Sequence, residues 1–176
     1  EAILVINEEV AAGTSFAEYF ELDDYLLNIE NKSLTHRPDC FGIIGFAREV
    51  AAISGKQFKT PDWLFQAASN VGLDDGTNID VIIDNPELCS RYLAVVMSNA
   101  DGKIKSPIKI QTYLSRSGVR PISAVVDVTN YLMLLTGQPL HSFDYDKVVG
   151  LNNGEAEIHV RAGVDKEKLE LLDGRT

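Results

Sequence analysis

The sequence predicts an α+β fold in two parts, a small helical N-terminal part followed by a mixed part of strands and helices. Three observations predict it. Between Phe41 and Ile53, Ile43, Ile44, Phe46, Ala47, Val50, Ala51 and Ile53 recur at helical spacing. Two short runs, 78–84 (NIDVIID) and 91–98 (RYLAVVMS), read as strands separated by the turn NPEL. Between the helix and these strands, residues 56–77 cluster Pro, Gly, Asn and Asp and read as a linker.

Each element has its own signal. Residues 2–6 (AILVI) form a short apolar run that reads as a short buried strand or a strand end. Thr14 or Ser15 is placed to cap a helix over 15–20, with Glu18 three residues after Ser15. YLLNIE, 25–30, alternates as a strand, and NKSLTHRPD is turn chemistry in which Pro38 disfavours helix just before it. Gly55 ends the 41–53 helix. Ser106-Pro107 starts a helix, because Pro at the first helical position loses no needed donor, and Gly118 stops it. The apolar stretch 122–135 fits helix or strand by pattern; its length and the Leu132, Leu135 spacing favour helix, ending at Gly137. A strand over 156–161 and a hairpin arm at KLELLDG complete the chain.

Bulk properties exclude several classes. At 176 residues, 45% hydrophobic and 24% charged, the chain can bury a core and falls among ordinary globular proteins. Its formal net charge of −10 disfavours sequence-blind grip on nucleic acid, so any RNA contact must be local. Cys40 and Cys89 stand far apart with no His or Cys at ligand spacing, which excludes a disulfide scaffold and a zinc ribbon. One disulfide between them stays open, with two reduced, half-buried thiols of a cytoplasmic protein as the favoured reading. No apolar run approaches a membrane span, and EAILVINEEV lacks the basic flank of a signal peptide. With no Met at position 1 and a stop on LLDGRT, both ends read as cut from something longer.

No phosphate loop, GxGxxG, HExxH or GxSxG is present, so any ATP-dependent chemistry lies elsewhere. The acid pairs Asp23-Asp24 and Asp74-Asp75 stand in turn-like stretches and read as solvated loop residues. Of the three histidines, His159 alternates with Ile158 and Val160 in a strand and points to solvent or a neighbouring strand. His36 sits in a turn. His141 lies in GQPLHSFD, presented by the rigid Gln138-Pro139 step. A lone loop histidine is more often a structural hydrogen-bonder than a catalyst. Thr129 and Asn130 interrupt an apolar stretch; they either bond back to their own helix or aim hydrogen-bonding groups into a pocket near His141. Lys103, Lys105, Lys109, Arg116 and Arg120 form a basic cluster broken only by Asp101. A solvated helix face explains it, with a tRNA-facing strip as the alternative.

Three phrases together resemble the β subunit of bacterial-type phenylalanyl-tRNA synthetase. They are NKSLTHRPDCFGIIGFAREVAAISG (31–55), RYLAVVMSNADGKIKSPIKIQTYLSRSGVRPIS (91–123) and VVDVTNYLMLLTGQPLHSFDYDKVVG (125–150). The last, VVDVTNY followed by GQPLHSFD, is the most specific. The resemblance implies an end of an OB-fold insertion over 1–20, a small helical (B1-like) domain over 21–60 and a linker over 61–77. Residues 78–176 are implied to begin a B3/B4 tRNA-editing domain, truncated at its C-terminus.

It also implies a ligase that attaches Phe to its tRNA as an (αβ)₂ assembly with an α subunit and a second β subunit. ATP and Mg bind elsewhere in that assembly, and this region holds no cofactor or metal. Carried over by position, His141 is implied to be catalytic, orienting water or stabilising charge on the ester. Arg120, Thr129, Asn130 and Pro139 are implied to line the editing pocket, with Arg120 near the tRNA 3′ end. The family's Gly-rich segment and the Glu that recognises the tyrosine hydroxyl lie beyond Thr176, so the fragment alone is expected to edit little. A non-catalytic scaffold for the α subunit and tRNA is the second reading, and a small-ligand binding domain the third.

Overall fold

The computed structural model describes residues 6, 9–66, 78–171 and 174–175. The expected apolar strand or strand end at 2–6 falls almost wholly outside them, as do Asp74-Asp75. The chain divides into two compact units that are interleaved rather than consecutive. One combines the described residues up to 66 with Ala100–Ser142; the other combines 78–99 with the chain from Phe143 onward.

The first unit is helical. A single turn, α1 (Phe16–Tyr19), follows Ser15, which occupies the N-cap in extended backbone but makes no side-chain cap bond. Thr14 instead donates to the Ala11 carbonyl at 2.8 Å. Residues 25–30, expected as a strand, are exposed and irregular. They gain no ladder partner among the described residues, so alternation alone did not make a strand. Two 3-10 turns follow, Lys32–Leu34 and Pro38–Phe41. Asn31 caps the first, its Oδ1 accepting from the Ser33 N–H at 2.9 Å.

The expected helix is α2 (Ile43–Ile53), starting two residues later than its periodicity suggests because Gly42 is extended. It ends in a six-to-one bond from the Lys56 N–H to the Ala51 carbonyl, with Gly55 left-handed at φ +65°. Within the expected linker, Trp63–Gln66 form a further helical turn, α3. α4 (Ile108–Arg116) and α5 (Ala124–Thr136) complete the unit. Pro107 sits one place outside α4, at the N-cap. Gly118, φ +79°, closes α4 as the Val119 N–H bonds to the Leu114 carbonyl. α5 packs against α4, α2 and the Pro38–Phe41 turn. Among the described residues, Leu114 and Ile44 are the buried large apolar side chains of this unit.

The second unit is built on a two-stranded parallel sheet. β1 (Asp80–Ile83) pairs with β2 (Glu157–Val160) in the register Asp80 to Glu157 through Ile83 to Val160. α6 (Tyr145–Leu151), which the periodicity did not predict, packs on β2 and is capped by Asp144 Oδ1 on the Lys147 N–H at 3.3 Å. Residues 91–98 are not a strand, although Tyr92, Ala94 and Val96 are half-buried while Leu93, Val95 and Met97 face out. Their alternation survives, but among the described residues no strand pairs with them. The described part of KLELLDG is not a regular strand, but it does enter a hairpin-type turn. The Leu171 carbonyl accepts from the Gly174 N–H and the Leu171 N–H donates to the Arg175 carbonyl, with Gly174 left-handed at φ +81°. An α+β fold of helices and a small sheet results.

Candidate functional site

All five candidate residues belong to the first unit and hang on α5. Arg120 precedes it in the loop from Val119 to Ser123, Thr129 and Asn130 lie along it, and Pro139 and His141 follow it. Arg120, Pro139 and His141 are exposed; Thr129 and Asn130 are half-buried. The Thr129 hydroxyl donates to the Val126 carbonyl of its own helix at 2.7 Å, which is the back-bonded role open to it from sequence.

Both ends of α5 are fixed. At the C-terminal end Gly137 turns left-handed at φ +77°, and its N–H bonds to the Met133 carbonyl. This turn presses on the Pro38–Phe41 turn so closely that a methyl group at Gly137 would sit 2.6 Å from the Pro38 carbonyl oxygen. The HRPDCFGIIG phrase and the start of GQPLH, nearly a hundred residues apart in sequence, are thus in backbone contact. Arg37 stiffens that turn: its Nε and Nη2 each reach an Asp39 oxygen at 2.9 Å, and its Nη1 reaches Glu49 at 3.0 Å. The guanidinium holds the Asp39 carboxyl below the usual range, and Asp39 and Glu49 together raise that of Arg37.

At the N-terminal end sits Asp127, 1% exposed. Its Oδ2 accepts from the Ser106 hydroxyl, and its Oδ1 accepts from the Ile122 N–H at 2.7 Å. Ser106 is itself 2% exposed, and its carbonyl takes a 2.6 Å bond from Gln111 Nε2. Sequence reasoning passed over this residue. The only available signal was an acid at a position flanked by apolar residues on both sides, in VVDVTNY. Tyr113 of α4 packs edge-on against Tyr131 of α5, with ring centres 5.1 Å apart. Its hydroxyl is buried without a hydrogen-bond partner among the described residues, and burial leads in raising its pKa.

The basic cluster is partly spent inside the unit. Lys109 Nζ lies 2.5 Å from Glu21, and Arg116 reaches the Glu21 carbonyl and, at 3.3 Å, Asp24. Lys103, Lys105 and Arg120 remain on the surface. Beside these pairs lies an open groove of about 410 Å³ lined by Phe20, Leu22, Ile108, Thr112, Arg116 and Pro121 among others. None of the five candidate residues lines it.

In the second unit His159 is exposed, and its Nε2 lies 2.5 Å from Asp84. Cys40 and Cys89 are both free and half-buried. Among the described residues no group of His, Cys, Asp and Glu could hold a metal ion, and no helix is long and apolar enough to cross a membrane.

The chain is 40% identical over 175 residues to the phenylalanine–tRNA ligase β subunit of Carboxydothermus hydrogenoformans, covering 98% of this chain and 20% of that one. It is 36% identical over 172 residues to the β subunit of Neisseria meningitidis serogroup A, again 98% and 20% of the two chains. It is 39% identical over 178 residues to that of Legionella pneumophila strain Lens, 99% and 20%. The chain spans about a fifth of the length of these curated relatives. The B3/4 domain family matches residues 88–176, which takes in Arg120, Asp127, Thr129, Asn130, Pro139 and His141. With half of its length inside that match and its whole length like the same β subunits, the chain belongs to the B3/4 domain family.

Proposed function

We propose that this chain is part of the β subunit of a phenylalanine–tRNA ligase and contributes to hydrolysis of tRNA specific for phenylalanine that has been charged with tyrosine. The observation that carries the reading is the framing of α5. Arg120, Thr129, Asn130, Pro139 and His141 all depend on one helix that Asp127 anchors at its start and the Gly42–Gly137 contact anchors at its end. A site that must hold water against an ester needs such a frame, because small misplacements cost large factors in rate.

The reaction is attack of water on the carbonyl carbon of the aminoacyl ester. It passes through a tetrahedral oxyanion, and the ester C–O bond to the 3′-terminal ribose breaks, releasing tyrosine and tRNA. His141, on its exposed loop, orients the water and stabilises the developing charge. Asn130 supplies amide hydrogen bonds to the substrate and water, and Thr129 supplies its lone pairs while its proton is held by the Val126 carbonyl. Arg120 attracts the phosphates near the tRNA 3′ end. The need for such a site is physical: a synthetic pocket shaped for Phe cannot strongly reject an analogue that only adds a hydroxyl. In this reading ATP and Mg serve the adenylation step elsewhere in an assembly with the α subunit and a second β subunit.

A non-hydrolysable 3′-tyrosylamido-adenosine tests the placement. Bound to the full-length subunit, it is expected to perturb the NMR signals of His141 and the Asn130 side-chain amide. Perturbation confined to the groove lined by Phe20 and Ile108 contradicts the reading.

The scaffold reading also has an observation behind it. Leu93, Val95 and Met97 are 74%, 67% and 78% exposed in one stripe, and Tyr25, Leu26 and Leu27 are 91%, 70% and 76% exposed. Apolar faces of this kind mark contact with other protein surface. The two readings are compatible, since they use different residues.

A further inference from the structure

The buried carboxylate of Asp127 is not explained by solubility or by surface pairing. A carboxylate removed from water is tolerated only where donors satisfy it, and here the two donors come from two different segments. Ser106 lies ahead of α4. Ile122 lies in the loop between α4 and α5, two residues after Arg120. The same region is tied once more where the Ala124 N–H bonds to the Ile104 carbonyl at 2.7 Å. One side chain thus fastens the Arg120 loop to the first turn of α5. Asn130 follows one turn later on the same side of that helix.

Ile122 is 66% exposed, so its own side chain does not hold this point of the loop down. Its backbone bond to Asp127 and the turn at Gly118 do so instead.

Resting on the reading above, we infer that Asp127 is a positioning residue of the editing site, fixing Arg120 relative to Thr129 and Asn130. It does not touch substrate. Its effect on tyrosyl-tRNA hydrolysis passes through the Arg120 loop, and Ser106 orients it through the second carboxylate oxygen. Asn at this position keeps an oxygen for the Ile122 N–H and lets the Ser106 hydroxyl turn round to accept. Ala leaves both donors stranded.

The test is a double-mutant cycle in the full-length ligase with its partner subunit. Asp127→Ala and Arg120→Ala are combined, with Asp127→Asn as the conservative variant and His141→Ala as a control. Asp127→Ala is expected to lower kcat for tyrosyl-tRNA hydrolysis by roughly ten- to a hundredfold while phenylalanine charging stays within about twofold. Asp127→Asn is expected to recover most of that loss. In the Arg120→Ala background Asp127→Ala should cost less than about threefold more, because coupled residues fail to add.

Equal losses in both backgrounds overturn the inference, since a merely structural role acts independently of Arg120. If Asp127→Ala also abolishes charging, the cycle is run with Ser106→Ala in its place, and additivity overturns the inference there too. If His141→Ala and Arg120→Ala both leave hydrolysis unchanged, the editing reading falls and the inference with it. If they impair it while the cycle is additive, the inference alone falls.

Discussion

Gly42 and Gly137 meet backbone to backbone: a methyl group on Gly42 would lie 2.2 Å from the Gly137 nitrogen and 2.4 Å from the Thr136 carbonyl carbon. No side-chain rotation relieves such a contact, because the atoms it meets are main chain. Gly42→Ala should therefore push the Pro38–Phe41 turn off the end of α5. The expected cost is about 2–4 kcal/mol, like other large overpacking defects. Faster amide exchange at Gly42 and Gly137 in the full-length protein checks it; unchanged exchange sinks the claim. Gly137→Ala adds left-handed strain of about 1–2 kcal/mol to its clash with Pro38.

Arg37 should not tolerate lysine. Its planar fork serves both Asp39 oxygens and Glu49 at once, which a single ammonium cannot copy. Arg37→Lys is expected to loosen the turn nearly as much as Arg37→Ala, read as susceptibility to limited proteolysis between 31 and 42. Wild-type resistance in the lysine variant would show that charge alone suffices.

Tyr113→Phe removes a buried hydroxyl that has no partner among the described residues, while keeping the ring against Tyr131. Thermal unfolding should be unchanged or stabilised by about 1 kcal/mol, since a stranded polar group is relieved. A loss of that size would reveal a partner for the hydroxyl.

How far the sequence led is clearest in these residues. α2 and α5 were legible because their apolar spacing, glycine stops and lengths agree, and His141, Thr129 and Asn130 stood out as polar groups in or beside apolar runs. The strands expected at 25–30 and 91–98 failed because a strand needs a neighbour's hydrogen bonds. At 91–98 alternation reports only which side is half-buried, and at 25–30 every residue is exposed. α6 was missed because seven residues hold too few turns for a periodic signal. Asp127 was missed because its partners, Ser106 and Ile122, are brought to it only by the folded chain.

In the second unit Arg161 pairs with Glu167, and its guanidinium, helped by the Val164 N–H at 3.0 Å, draws the Glu167 carboxyl down to about 2. Because the folded value lies below the ordinary 4.5, the pair stabilises the turn fully above about 4.5 and loses that contribution as the pH falls toward 2. The Val164 amide signal is expected to titrate with a midpoint near 2. A midpoint near 4.5 would mean that the pair does not form in solution.

The proofreading claim itself is met most directly by deacylation of tyrosyl-tRNA specific for phenylalanine. The full-length ligase would be compared with its His141→Ala variant, with phenylalanyl-tRNA as the control substrate. The account predicts that the variant hydrolyses tyrosyl-tRNA at least about tenfold more slowly while charging phenylalanine normally. Tyrosyl-tRNA hydrolysis at the wild-type rate would contradict it, returning His141 to the role of a structural loop residue and leaving the scaffold reading in its place.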